Sequence, residues 1–141
     1  MSRSALRKAA GLSQAVYLSR DRMRLEDIDD LVTASALRNA RHGITGALLF
    51  GGGHFLQVLE GSPEAVETLL GRIALDPRHT DFEVLLRRPV SSRQFTNWGM
   101  VLVGLDGAEE WIDSLRGDRS LERLDRLVAS MARRLLDEAQ P

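Results

Sequence analysis

The chain has no cysteine among its 141 residues, which excludes disulfide bonds, a thiolate nucleophile and zinc clusters held by cysteine. It has no excess of either charge: 19 lysines and arginines meet 20 aspartates and glutamates, for a formal net charge of −1. A general electrostatic grip on nucleic acid needs clustered positive charge and is not expected. No run is long and apolar enough to span a bilayer. The opening MSRSALRKAA is basic but is not followed by the uninterrupted apolar stretch of a signal peptide. A cytoplasmic protein without a membrane partner is the expectation. His42, His54 and His79 are isolated in sequence, which argues against a metal site. Glycines 51–53 precede a predicted strand, and no Gly-Lys-Ser/Thr follows them, so they are not a phosphate loop. Glu60 and Asp76 show no pairing suited to acid–base work.

What is present fits one globular domain: 43% of residues are hydrophobic and 28% charged. Residues 12–19 read as a first strand. Leu25, Ile28, Leu31, Val32 and Ala36 then recur at helical spacing, predicting a helix over about 25–40 that Gly43 ends. Strands follow at 46–50 and 54–60, joined by the glycine hairpin. Ser62-Pro63-Glu64 is a helix start, with Val66, Leu69, Leu70 and Ile73 as its apolar stripe. Residues 82–88 and 98–104 read as two further strands. The order βαββαββ predicts an α+β, ferredoxin-like sandwich: a five-stranded mixed sheet with two helices on one face. The second face is also apolar and needs cover. The tail supplies it, as a short helix near 107–115 and a longer one near 119–138 bearing Leu121, Leu124, Leu127, Val128, Met131 and Leu135. Packing of this stripe within the chain is the simpler expectation; a seam between two copies is the alternative.

The most telling stretch is Phe55-Leu56-Gln57-Val58-Leu59-Glu60-Gly61. Side chains alternate along a strand, so Gln57 shares a face with Phe55 and Leu59, while Leu56 and Val58 point the other way. An amide shielded between phenylalanine and leucine must find partners, since a buried polar group without them costs about 1–3 kcal/mol. By the same alternation Tyr17 stands with Ala15 and Ser19, opposite the plainly apolar Val16 and Leu18. Trp98 and Met100 share one face of the last strand, and Asn39 lies near the end of the first helix. Each alone has an ordinary structural explanation: a core aromatic, a gap-filling methionine, a turn-forming asparagine.

Taken together, these residues give the chain a resemblance to the BLUF domain, a flavin-binding sensor of blue light. The matching runs are Tyr17-Leu18-Ser19, Asn39-Ala40-Arg41-His42-Gly43-Ile44-Thr45-Gly46, Phe55 to Gly61, Asp76-Pro77-Arg78-His79, and Arg93-Gln94-Phe95-Thr96-Asn97-Trp98-Gly99-Met100. They cover about residues 12–103 in the family's order and spacing. The resemblance implies that FAD is the chromophore and that Tyr17 and Gln57 form the light-responsive pair beside its ring. It further implies that Asn39 bonds the ring's polar edge, that Ile73 packs on the ring, and that Arg72 and Asp76 make polar contacts. A flat ring with apolar faces also suits first-helix aliphatics such as Ile28 and Leu31. Ser19 stands as the small polar neighbour of the tyrosine, and Trp98 and Met100 as residues that exchange environment on signalling. Apart from the resemblance, the charges of Arg41, Arg72 and Arg78 suit the phosphates of FAD, with solvated surface arginines the commoner alternative. Arg38 departs from the pattern, since many members carry asparagine or histidine there.

In this family light drives electron and proton transfer from Tyr17 to the flavin and rearrangement of the Gln57 hydrogen bonds, with no covalent adduct. The missing cysteine agrees. The implied protein is a photosensor core over 1–105 with a C-terminal helical extension over 106–141, without an attached catalytic effector. It would signal through its last strand and C-terminal helices to a downstream partner or an oligomer. Two other readings are a small ferredoxin-like flavin-dependent enzyme, which lacks a nucleophile, metal set or nicotinamide fingerprint, and an interaction module that has lost its flavin.

Overall fold

The computed structural model describes residues 11–21, 25–77, 79–96, 99–104, 107–115 and 117–139. Its elements, in chain order, are β1 (Ser13–Asp21), α1 (Leu25–Arg41), β2 (Thr45–Gly51), β3 (His54–Gly61), α2 (Pro63–Leu75), β4 (His79–Pro89), β5 (Leu102–Val103), α3 (Ala108–Ser114) and α4 (Leu121–Ala139). The local causes follow the sequence. In α1, Glu26 and Asp27 occupy the first turn and Arg38 and Arg41 the last, each opposing the helix dipole. Ser62 caps α2, its Oγ accepting from Ala65 N at 3.1 Å, with Pro63 at the first helical position. The β2–β3 hairpin closes on Gly52 and Gly53, at φ 60° and 77°. That pair of positive φ values suits the right-handed twist of the two strands and is open chiefly to glycine.

The sheet order is β4-β1-β3-β2-β5, antiparallel throughout except for the parallel β2–β5 pair. It is thus the mixed, five-stranded, ferredoxin-like sheet that the element order predicts. On one face Ala15, Tyr17, Leu48, Phe55 and Leu59 pack with Ile28 of α1 and Val66 and Leu70 of α2. On the other, Val16, Leu18, Ala47, Leu49, Leu56 and Val58 pack with Ile112, Leu124, Leu127, Val128, Met131 and Leu135 of the C-terminal helices. The α4 stripe is therefore consumed within the chain, apart from Leu121, which is 53% exposed. Strand β4 carries two irregularities in its pairing with β1, between Val16 and Tyr17 and between Leu18 and Arg20. The first lets consecutive Leu85 and Leu86 both reach the α4-side core. Asp81, at φ 53°, lies within the second.

The last strand differs from expectation. Residues 98–104 read as a strand, yet Gly99 and Met100 form a bend and β5 comprises only Leu102–Val103. Pairing with β2 begins where Leu48 N donates to Val101 O at 2.8 Å. The Gly99 carbonyl is instead taken by a side chain, as described below. Trp98 and Arg78 lie outside the described residues. No helix among the described residues is long and apolar enough to cross a membrane, and no cluster of His, Asp or Glu among them could hold a metal ion.

The start of α4 is secured by polar contacts in water. Asp118 Oδ1 accepts from Ser120 N at 2.9 Å, Asp118 Oδ2 faces Arg123 Nε at 3.3 Å, and Ser120 Oγ accepts from Arg123 N at 3.3 Å. The Ser120 backbone bond first, then the Ser120 hydroxyl and Arg123, hold the Asp118 carboxyl below its ordinary value of 3.8. A depressed carboxylate pKa contributes stability above the unfolded value and loses it as pH falls through the folded one. Acidification below pH 3.8 is therefore expected to raise amide exchange in the first turn of α4, and Asp118→Asn to show no such acid step. Exchange measured against pH checks this.

Candidate functional site

The β1–β3 register places Tyr17 directly opposite Gln57 on the face covered by α1 and α2. Tyr17 is 1% exposed and Gln57 7%. The Tyr17 ring is held from the other flank by Phe82 of β4, with centroids 5.0 Å apart. Ser19, two positions along β1, is fully buried opposite Phe55. The chain thus holds a phenol and a carboxamide side by side, with the Ser19 hydroxyl nearby on the same face, in a sheet layer whose other buried members are apolar.

Asn39 comes from the last turns of α1 and is buried. Its Nδ2 donates to Gly99 O at 2.7 Å, while its backbone carbonyl accepts from His42 N and Ile44 N at the helix end. The side chain therefore clamps the segment before β5 onto α1. The approach is close enough to require glycine: a Cβ on Gly99 would lie 2.4 Å from the Ala36 carbonyl oxygen. This clamp is why the predicted strand starts late. A ladder carbonyl bonded to a side-chain amide is not presented to β2 in strand geometry.

Two adjoining hollows open beside this cluster. The inner crevice, about 40 Å³, is lined by Tyr17, Gln57 and Leu59 from the sheet, by Leu31, Ser35, Arg38 and Asn39 from α1, by Leu69, Ile73 and Asp76 from α2 and its end, and by Met100. The outer cavity, about 320 Å³, shares Arg38, Asn39 and Leu69 and adds Ser62, Glu64, Thr68 and Arg72 along α2, with His42 and Ile44. The outer volume lies within the range of small-molecule sites. Together they form a slot between two helices with aliphatic walls, the phenol and the Gln57 amide in the inner part, and charged groups in both parts: Arg38 and Asp76 at the crevice, Arg38, Glu64 and Arg72 at the outer cavity.

The structure brings together Tyr17, Gln57, Asn39, Ile73, Asp76 and Met100 at the crevice, with Arg72 at the outer cavity. Ile28, expected on the ring, is instead 2% exposed in the core and lines neither hollow. The first-helix aliphatic residue at the crevice is Leu31, one turn further on. Ser19 also lines neither hollow. Sequence reasoning missed Ser35, His42, Glu64 and Thr68. A signal was present: Glu64, Thr68 and Arg72 recur at i, i+4, a polar stripe flanking the apolar one on α2.

Comparison with known proteins adds an independent line. The family model for BLUF, described as sensors of blue light using FAD, matches residues 12–101. The blue light- and temperature-regulated antirepressor BluF of Escherichia coli K12 is 38% identical over 96 residues, covering 67% of this chain and 24% of that protein. The dark-state structure of BlrB, a BLUF protein, superposes with a TM-score of 0.74 at 34% identity, covering 88% of this chain and 97% of that one. A Klebsiella pneumoniae BlrP1 structure with FMN and cyclic diGMP gives a TM-score of 0.65 at 35% identity, covering 84% of this chain and 34% of that one. The chain thus spans about a quarter of the antirepressor's length.

The clamp makes a direct prediction. Asn39→Ala removes the donor to Gly99 O, and Gly99→Ala forces the loop off α1. Each is expected to destabilise the fold by about 1–3 kcal/mol, the range for an orphaned buried polar group or an overpacked contact. Urea unfolding midpoints check it; wild-type midpoints in both variants would contradict this packing.

Proposed function

The chain belongs to the BLUF family, and we propose that it is a blue-light photoreceptor holding FAD between α1 and α2, with Tyr17 and Gln57 as the responsive pair. The carrying observation is the direct cross-strand pairing of a buried phenol with a buried amide in the inner part of the slot. The donor set suits a flavin: Leu31, Leu69 and Ile73 offer apolar surface to a flat ring, while Gln57 and Asn39 offer amides to a polar edge. Arg38 and Arg72 line the outer cavity, suited to phosphates. The ring contacts serve FAD and FMN alike; the family description favours FAD.

When bound, the flavin supplies the blue absorption and an excited state able to accept an electron. The chain's own contribution is proton and hydrogen-bond chemistry. Tyr17 is its sole tyrosine, and a phenol that loses an electron sheds its Oη proton readily. Gln57 carries both a donor and an acceptor on one short amide, so it can pass a proton and settle with its two ends exchanged. Neither a leucine nor a glutamate offers that combination. Met100, buried beside Gln57 at the crevice, lies on the segment leading into β5, which gives the rearranged amide a route toward α3 and α4. In this reading Trp98 shares that role, Arg78 joins the arginines near the phosphates, residues 1–105 form the photosensor core and 106–141 the output extension. The chain is a cytoplasmic sensor without catalytic activity of its own and signals to a partner protein or a second copy.

Protein loaded with FAD is expected to be yellow, to shift its absorption to the red under blue light and to recover in the dark. Gln57→Leu should keep the flavin and lose the shift. Because Tyr17 is the only tyrosine, light-minus-dark infrared spectra of tyrosine-labelled protein report that residue alone. Protein that cannot be loaded with flavin would sink the photoreceptor reading, and an unaltered photocycle in Gln57→Leu would remove Gln57 from it.

A further inference from the structure

The sheet's second face carries a polar row that the photochemistry does not use. One step along from the apolar row Leu86–Val16–Val58–Ala47, the registers align Arg88, Gln14, Glu60 and Thr45 across β4, β1, β3 and β2. Gln14 and Glu60 are fully buried, and Glu60 is the one fully buried acidic side chain among the described residues. Its carboxylate accepts from Gln14 Nε2 at 2.9 Å, from Gln94 N at 2.9 Å and from Phe95 N at 2.9 Å. Gln14 Oε1 in turn accepts from Arg88 Nε at 3.0 Å. Arg88 then pairs with Asp125 Oδ1 of α4 at 2.5 Å.

This row has a direction. A guanidinium only donates and a carboxylate only accepts, so the Gln14 amide between them has one satisfying orientation. Turning it would face donor to donor at Arg88 and acceptor to acceptor at Glu60. At the far end, Arg93 donates to Thr45 Oγ1 and Glu60 O at 2.9 Å and to Gly43 O at 2.7 Å, and Phe95 is buried in the α4-side core. In sequence the loop held by Glu60 precedes Gly99, whose carbonyl Asn39 clamps, and Met100, which lines the crevice. A single polar chain therefore joins the segment entering the candidate site to the helix on the opposite face.

We infer that Arg88, Gln14 and Glu60 couple the docking of α4, through Asp125, to the seating of the loop at residues 93–96, with Glu60 the positioning residue for the segment that carries Met100. Removing Asp125 frees Arg88 to leave Gln14, which loosens the amide on Glu60 and with it the two backbone donors. The coupling is a property of the dark protein; only its use in signalling rests on the photoreceptor reading.

The test is hydrogen exchange on the full chain, read at the Gln94 and Phe95 amides in the dark. Asp125 is a half-exposed helix position (46%), so Asp125→Ala is expected to keep the fold. It is expected to speed exchange at both amides by about fivefold or more, and Asp125→Glu to restore protection. Glu83→Gln cuts a different tie to the start of α4, the ion pair with Arg119, and should leave both amides as in wild type. Changes under about twofold in Asp125→Ala, or equal changes in Glu83→Gln, would overturn the coupling. Under blue light, Asp125→Ala should keep the absorption shift and lose any light-induced exchange change in α4; a response equal to wild type would overturn its use in output. A wild-type protein without an absorption shift would refute the photoreceptor reading alone, since the dark measurement decides the coupling by itself.

Discussion

The register of β1 against β3 is the constraint on which the rest of the molecule depends. It sets Tyr17 opposite Gln57 on one face and Gln14 opposite Glu60 on the other. Because side chains alternate with a period of two, a slip of one residue would exchange the faces of a strand entirely. Both faces of this sheet are covered, so such a slip would drive Val16 and Leu18 into the slot and Tyr17 into the packing of α4. The apolar residues thus enforce a register whose chemically important members are polar. Stability and site geometry are not separable properties here.

A second consequence concerns buried polarity. The described core holds Gln14, Ser19, Asn39, Gln57 and Glu60, a costly set unless each finds partners. Three have geometry that explains them: Asn39 grips Gly99, and Gln14 and Glu60 satisfy one another and the loop after β4. Gln57 differs because its side chain lines a crevice rather than closing a network of this kind. A polar group placed in an apolar-walled slot suits a ligand whose own edge is polar. The contrast between the two amides, one locking the fold and one facing the slot, follows from which face of β1 and β3 each occupies.

Much of this was legible in the sequence. Alternation alone assigned Tyr17 and Gln57 to the helix-covered face and Val16, Leu18, Leu56 and Val58 to the other, and the stripe from Leu124 to Leu135 found its place on that second face. What escaped was decided by contacts between residues far apart in the chain. The strand expected over 98–104 is cut short by an amide sixty positions upstream, which no local propensity records. The structural role of Glu60 left no mark in the sequence because two of its partners are backbone N–H groups of Gln94 and Phe95, and every sequence has those. Ile28 and Leu31 share the apolar stripe of α1, and only the packing of that helix on the sheet decides that Leu31 lines the crevice while Ile28 is buried in the core.

Among the described residues, the stretch of 93–96 and 99–103 takes its bonds from several parts of the fold in turn. Glu60 and Arg93 hold its start, Phe95 anchors in the α4-side core, Asn39 holds Gly99, and Met100 turns back to the α1–α2 side before β2 pairs with Val101 and β5. Within about ten residues the backbone is bonded in turn to β3, α1 and β2, and its side chains enter both cores. The described residues 93–96 and 99–101 have no helix or ladder of their own, so their placement rests on the partners that the two faces offer them. Their contacts come from both faces, whereas the interior of β1 and β3 is held by a continuous backbone ladder. The fold thus sets a ladder-paired couple of strands that presents Tyr17 and Gln57 beside an irregular stretch whose described residues are bonded to both sides of the sheet.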